Sequence, residues 1–434
     1  MGPVRQTPQF SYEPGPYEFR PPRNNRLATW LARMFAPRFL NSVGISEVSV
    51  SERDLAKMQA YLDSRLVLVS NHPAWEPVVL FHTAALAGKE VNIMTAHELF
   101  ARSWLHGFVL PLIGAYSVNR GTSDMASFRE TRRLIAEGKR WLVLFPEGQD
   151  HYMSDLLMPF QSGLVRLAFW ALDEMKHQGP PPVRLIPVAV RYHFTRDMTA
   201  AIDQSLTRLE SALNLYAASG MDRYERLLRI SQRLIEDNEG YYRIPSDVNR
   251  PLPERIDRLR NVIIERVAAG IGIAPPDESR PLRDRVRTLL NALDLVRPPD
   301  AGQRNAYEQQ LIARGEDYAK ELHSELYRVL TFVGVSGNYI AQRPTAERFC
   351  DVLSRLEYEV SGSAPKFGPK RAVVVAGQPI DLAGRYQDYL TDKRGVPEQV
   401  TAELEAAVRN LLEETAGLMN PIESGLAAGG GESF

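Results

Sequence analysis

Residues 65–77 read R-L-V-L-V-S-N-H-P-A-W-E-P, and the fold follows from how they are read. Leu66 to Val69 form a short, wholly apolar run, the pattern of a strand covered on both faces of a sheet. The run stops at Ser70-Asn71 and delivers His72 to the strand's carboxyl end, where ligand and catalytic sites gather in open α/β sheets. Pro73 has a fixed backbone and can open a helix, so Trp75, Glu76 and the apolar Val78 to Phe81 are expected on the helix that follows. The stretch therefore sets an imidazole beside a carboxylate at a strand-to-helix junction.

Working outward, further short strands are expected at Val91 to Met94, Ala115 to Asn119, Trp141 to Phe145 and Arg184 to Val190. Helical patterns separate them; the one at Met125 to Ile135 has Ser123 or Asp124 as its cap and Gly138 as its stop. This alternation predicts an α/β fold, a mostly parallel sheet flanked by helices. From about 198 to 362 the pattern is helical, with apolar faces at Tyr224–Leu227–Leu228–Leu234–Ile235, Ile256–Leu259–Ile263–Val267 and Leu311–Tyr318–Leu322–Leu326–Val329. A strand returns at Arg371 to Leu382, R-A-V-V-V-A-G-Q-P-I-D-L, and a lone strand needs sheet partners. The expected organisation is an irregular arm over 1–25, an α/β domain over 26–197, an all-α insertion over 198–368, a closing strand and helix over 369–420, and a flexible tail over 421–434.

Composition narrows the classes. The apolar fraction is 44% and the charged fraction 24%, which argues against disorder, and a net charge of −1 gives no global field to recruit nucleic acid. The single cysteine, Cys350, excludes an intramolecular disulfide framework and a multi-cysteine zinc site, and fits a reducing cytoplasm. Met1 to Arg26 lack the apolar core of a secretory signal. The longest apolar stretch, Trp104 to Val118, is broken by His106, Gly107, Pro111 and Gly114, so any membrane attachment is expected to be superficial. Leu27, Trp30, Leu31, Met34 and Phe35 follow helical spacing beside Arg33 and Arg38, with Pro37 expected to end the helix. That stripe either rests on lipid or packs on its own domain. His82, His97 and His106 lie in apolar surroundings and read as packing residues, and no metal-ligand spacing is present.

Four blocks occur in order: N-H-P-A-W-E-P at 71–77, G-A-Y-S-V-N-R-G at 114–121, F-P-E-G at 145–148 and I-P-V at 186–188. Together they resemble the glycerolipid acyltransferase family, enzymes that acylate glycerol phosphate or lysophosphatidic acid. H-E-L-F at 97–100 and the returning strand with its G-Q-P-I turn add to the likeness, which spans about 27–195 and 369–420. The resemblance implies O-acyl transfer from acyl-CoA or acyl carrier protein to the hydroxyl of a lysophospholipid, without a cofactor, metal or covalent intermediate. It also implies work at a membrane surface, on the cytoplasmic inner face. His72 would be the general base and Glu76 the carboxylate that orients it, with Arg120 on the acceptor's phosphate and Asn71, Glu147 and Gly148 in the acceptor site. The chemistry suits these residue types: an imidazole of ordinary pKa about 6.5 can take an alcohol's proton, and a carboxylate on its other nitrogen fixes the tautomer.

The sequence also departs from the family pattern. The family's carboxylate stands five residues beyond the histidine, where this chain has Pro77. Gln149-Asp150-His151 follow F-P-E-G where Thr-Arg-Ser is usual, Gln161 stands for a lysine, and so does His97. The thinned positive charge keeps two other readings open. One is an acyltransferase for a phosphate-free lipid acceptor; the other is a catalytically weak member serving as a lipid- or protein-binding scaffold. The helical insertion could be a lid, a docking surface or an oligomerisation element.

Overall fold

A computed structural model describes residues 17–119, 124–148, 153, 155–175, 182–215, 220–247, 249–295 and 338–422, with scattered positions between 314 and 332. Two compact units emerge, one formed by Tyr17–Thr195 with Gly368–Leu418, the other including Arg196–Phe367.

The first unit carries the sheet. Its elements run α1 (Arg26–Ser42), β1 (Ile45–Val50), α2 (Glu52–Gln59), β2 (Arg65–Ser70), α3 (Glu76–Leu86), β3 (Val91–Ala96), α4 (His97–Ala101), α5 (Trp104–Leu112), β4 (Ala115–Val118), α6 (Met125–Glu137), β5 (Trp141–Leu144), α7 (Gly163–Met175) and β6 (Val183–Phe194). After the helical segment come β7 (Lys370–Ala376), β8 (Ile380–Asp381) and a closing helix, Gly395–Glu414. The eight strands form one sheet in the order β1-β7-β6-β2-β5-β3-β4, with β8 against β6. Neighbours are parallel except where β7 and β8 meet β6 antiparallel. The mostly parallel α/β class read from the strand pattern is therefore the one observed.

β2 lies near the middle of the sheet, between β5 and β6, which is why its sequence is apolar without interruption. Leu66 and Leu68 point to the face covered by α1 and α3, where they meet Leu40, Val79 and Leu80. Val67 and Val69 point to the opposite face, which α7 and the closing helix cover. β1 and α2 went unread because an edge strand is apolar only in part: I-S-E-V-S-V shows one buried residue among six. β6 runs to Phe194, beyond the expected Val190, because antiparallel pairing with β7 continues through Arg191, Tyr192 and His193. The buried Arg191 guanidinium is fully engaged, donating to Asp155 at 2.6 Å, to Thr415 at 2.9 Å and to the Leu412 carbonyl.

Two other expectations change. Pro37 does not end α1, which continues to Ser42; burial of Ala36 and Leu40 on either side outweighs the roughly 3 kcal/mol that an internal proline costs. Pro73 does not open α3. The helix starts at Glu76 behind Trp75, and Pro77 occupies its first turn, where a missing N–H costs nothing. Residues 17–25 have no regular structure but are docked, with Arg20 and Ser117 exchanging hydrogen bonds and Arg23 N–H donating to the Pro111 carbonyl at 2.8 Å.

The second unit is helical, with α8 (Thr199–Ala212), α9 (Arg223–Tyr241), α10 (Leu252–Ile271), α11 (Leu282–Leu295) and a later helix, Ala346–Ser361. Ile256, Leu259, Ile263 and Val267 form the buried face of α10, and Leu227, Leu234 and Ile235 that of α9. Of the third face, Leu322, Leu326 and Val329 are buried, Tyr318 is exposed, and Leu311 lies outside the described residues, as does the tail from 423.

Candidate active site

The site forms where β2 ends. Asn71, the first residue past the strand, is buried, and its side-chain amide clips onto β6: Nδ2 donates to the Val190 carbonyl at 2.9 Å and Oδ1 accepts the Val190 N–H at 2.8 Å. Expected to touch substrate, Asn71 is instead occupied by backbone, and its effect is to fix where the chain leaves the sheet. His72 follows, with its side chain partly exposed.

Contacts of several kinds hold His72. Its backbone N–H donates to Glu147 Oε1 at 2.6 Å. Its ring stacks on Phe145, with centroids 4.2 Å apart and planes 24° from parallel. Its Nδ1 lies 3.1 Å from Glu76 Oε2. Glu76 is wholly buried at the first position of α3, and the same Oε2 accepts the Ala74 N–H at 2.7 Å. Burying a carboxylate there is favourable because unpaired N–H groups and the positive end of the helix dipole gather in the first turn. Glu76 stands one residue short of the family's spacing, but its extra methylene, together with the tight turn over 73–75, brings the oxygen to the imidazole.

Glu147 was expected to face the acceptor. It is fully buried, and its second oxygen accepts the Met158 N–H at 2.6 Å, so the carboxylate braces the His72 backbone against the segment after β5. Gly148 closes the turn, its N–H donating to the Phe145 carbonyl at 3.1 Å, with φ at 74°. The left-handed backbone favours glycine here, and a Cβ would meet the Gln161 amide, the movable end of a flexible side chain. Arg120 and the 149–151 segment lie outside the described residues. Of the three histidines read as packing residues, His106 Nδ1 meets the Ser103 hydroxyl at 2.7 Å, Tyr17 contacts the His97 ring edge-on, and burial lowers the pKa of His82.

The structure thus brings His72, Glu76 and Glu147 together from two parts of the chain. The stacking role of Phe145 and the bracing role of Glu147 were missed, although both belong to the F-P-E-G block already singled out.

This arrangement can accept a proton at an imidazole whose far nitrogen is oriented by a carboxylate. Residues 48–191 match the family model described as Acyltransferase, a segment that includes β2, His72, Glu76 and Glu147. Neither a search of curated proteins nor a search of solved structures gives a significant match. Fold, site and matched segment agree: residues 48–191 are an acyltransferase-family domain, and the protein is an acyltransferase.

Proposed function

We propose that the protein moves a fatty acyl group from acyl-CoA or acyl carrier protein to the hydroxyl of a lysophospholipid resembling lysophosphatidic acid, with His72 as general base. The observation that carries this reading is the His72 Nδ1–Glu76 Oε2 approach of 3.1 Å at the carboxyl end of β2. Glu76 keeps the imidazole in one tautomer, and Nε2 takes the acceptor's hydroxyl proton as that oxygen attacks the thioester carbonyl. The tetrahedral intermediate expels the thiolate, which takes the proton from the imidazolium. No cofactor enters these steps, and Arg120 would hold the acceptor's phosphate.

The reading includes peripheral attachment to lipid, at the inner face of a membrane. Among the described residues no helix is long and apolar enough to cross a bilayer. Leu27, Trp30, Met34, Phe35 and Phe39 of α1 are exposed, and α5, which touches α1, exposes Trp104, Leu105 and Phe108. Exposed Arg26, Arg38 and Arg102 flank this apolar surface, the composition of an interfacial helix on anionic lipid. Phe39 contacts Trp75 edge-on at 5.5 Å, so the surface continues to the turn beside His72.

A phosphate-free acceptor is the second reading, favoured by the neutral Gln161 amide against Gly148. The test is thiol release from palmitoyl-CoA with a panel of lysolipids, for wild type and His72→Ala. Lysophosphatidic-acid-dependent release lost in the variant supports the proposal; release with phosphate-free acceptors alone moves the substrate. No His72-dependent release from folded protein, with this donor or an acyl carrier protein donor, overturns it.

A further inference from the structure

Glu76 uses only one oxygen in the contacts so far described. Oε2 serves both His72 and Ala74, while Oε1 is shielded from solvent and makes no hydrogen bond of normal length and angle. Leaving a buried carboxylate oxygen so is costly, and a donor is therefore expected near it. The Tyr192 hydroxyl is in the same condition, buried and without a bond of good geometry. Tyr192 lies on β6, two residues beyond the Val190 to which Asn71 is clipped, and therefore on the same sheet face as Val190. α3 covers that face and begins with Glu76.

We propose that Tyr192 is a positioning residue of this site: its hydroxyl donates to Glu76 Oε1 and so aims Oε2 at His72 Nδ1. Burial raises the phenol's pKa well above its ordinary value, and the charge and hydrogen-bonding capacity of Glu76 raise it further, against an opposing pull from the Trp75 backbone. The phenol is therefore neutral across the working range and reaches the carboxylate as a donor. β7 backs this position, with Ala372 as the Cα partner of Tyr192. Tyr192 falls one residue beyond the matched segment 48–191, so the family match does not cover it.

The inference rests on His72 and Glu76 acting as the base pair, so the test reads the pair with and without turnover. Tyr192→Phe keeps the ring in the core and deletes the hydroxyl. The carboxylate, missing a donor, then holds the imidazolium proton more firmly. The His72 ring resonances, followed by NMR, should titrate about half to one pH unit higher than in wild type. In the thiol-release assay kcat should fall about tenfold with KM nearly unchanged, and the acid limb of kcat/KM should move up with the same shift. Adding Tyr192→Phe to Glu76→Gln should cost nothing further. An unchanged His72 titration in folded Tyr192→Phe overturns the proposal, even if the melting temperature drops, and so does an additive double variant. If wild type releases no thiol, the function fails while the titration still decides the role of Tyr192. Should Tyr192→Phe not fold, wild type labelled at tyrosine Cζ decides: the Tyr192 signal must move as His72 titrates, and a static signal overturns the proposal.

Discussion

His72 and Glu76 are separated by four positions, yet no helix spans them, so their contact depends on side-chain reach. Glu76→Asp shortens the arm by about one carbon–carbon bond, roughly 1.5 Å, and takes the oxygen beyond hydrogen-bond range of Nδ1. We expect kcat to fall at least tenfold, and Glu76→Gln to fall further, on the order of 10²–10⁴-fold, because the wrong tautomer is then favoured. Steady-state thiol release with circular dichroism on the same samples checks both. Glu147→Gln leaves one acceptor for the His72 and Met158 N–H groups, so one buried donor loses its partner, at about 1–3 kcal/mol. Activity and melting temperature should therefore decline together. His82 supplies a pH dependence with a definite sign. Burial lowers its folded-state pKa, so the unfolded chain takes a proton that the native state does not as pH drops below about 6.5. Stability falls through that window, and His82→Gln should flatten the melting temperature between pH 7 and pH 5.

Helix α1 separates the two readings its apolar stripe had left open, since the stripe does not pack on its own domain. The large apolar residues Leu27, Trp30, Leu31, Met34 and Phe35 are exposed, while Thr29, Ala36 and Leu40 make the buried face. Ala36 and Leu40 pack into the core of the sheet unit, and the aromatic residues are left outside. Trp30→Glu with Phe35→Glu should weaken co-sedimentation with anionic vesicles by about tenfold or more and leave the melting temperature unchanged. Unchanged vesicle binding would remove the lipid role from this face. At the end of β2, Asn71→Ala frees two backbone groups of Val190 in a buried setting. We expect destabilisation of about 2 kcal/mol, read as a melting temperature several degrees lower.

At the scale of the molecule, the sheet unit is assembled from two distant parts of the chain. Phe194 at the end of β6 pairs with Lys370 at the start of β7, and Thr195 N–H donates to the Pro369 carbonyl at 3.1 Å. The chain therefore leaves and re-enters the sheet at neighbouring points, as it would in a β-hairpin. Residues 196–367 occupy the place of the hairpin loop, and loop length is tolerated because closure entropy grows only slowly with it. Replacing 196–367 by a short glycine-containing turn should leave the sheet unit able to melt cooperatively. Calorimetry and far-ultraviolet circular dichroism would report this, and thiol release from the shortened protein would tell whether the helical unit takes part in catalysis.

The sequence by itself determined the α/β class, the position of β2 and the block order that marks the acyltransferase segment. These are local properties: a strand buried on both faces must be apolar throughout, and a turn must carry the residues its backbone demands. It also placed His72 at a strand end beside a carboxylate one residue away from the usual spacing. Only the tertiary structure decided what each polar group of the site touches. Asn71 belongs to Val190 and Glu147 to two backbone N–H groups, because these partners meet only when β2, β5 and β6 lie side by side. Linear spacing carries no record of that adjacency, since hydrogen bonds across a sheet depend on strand order and register.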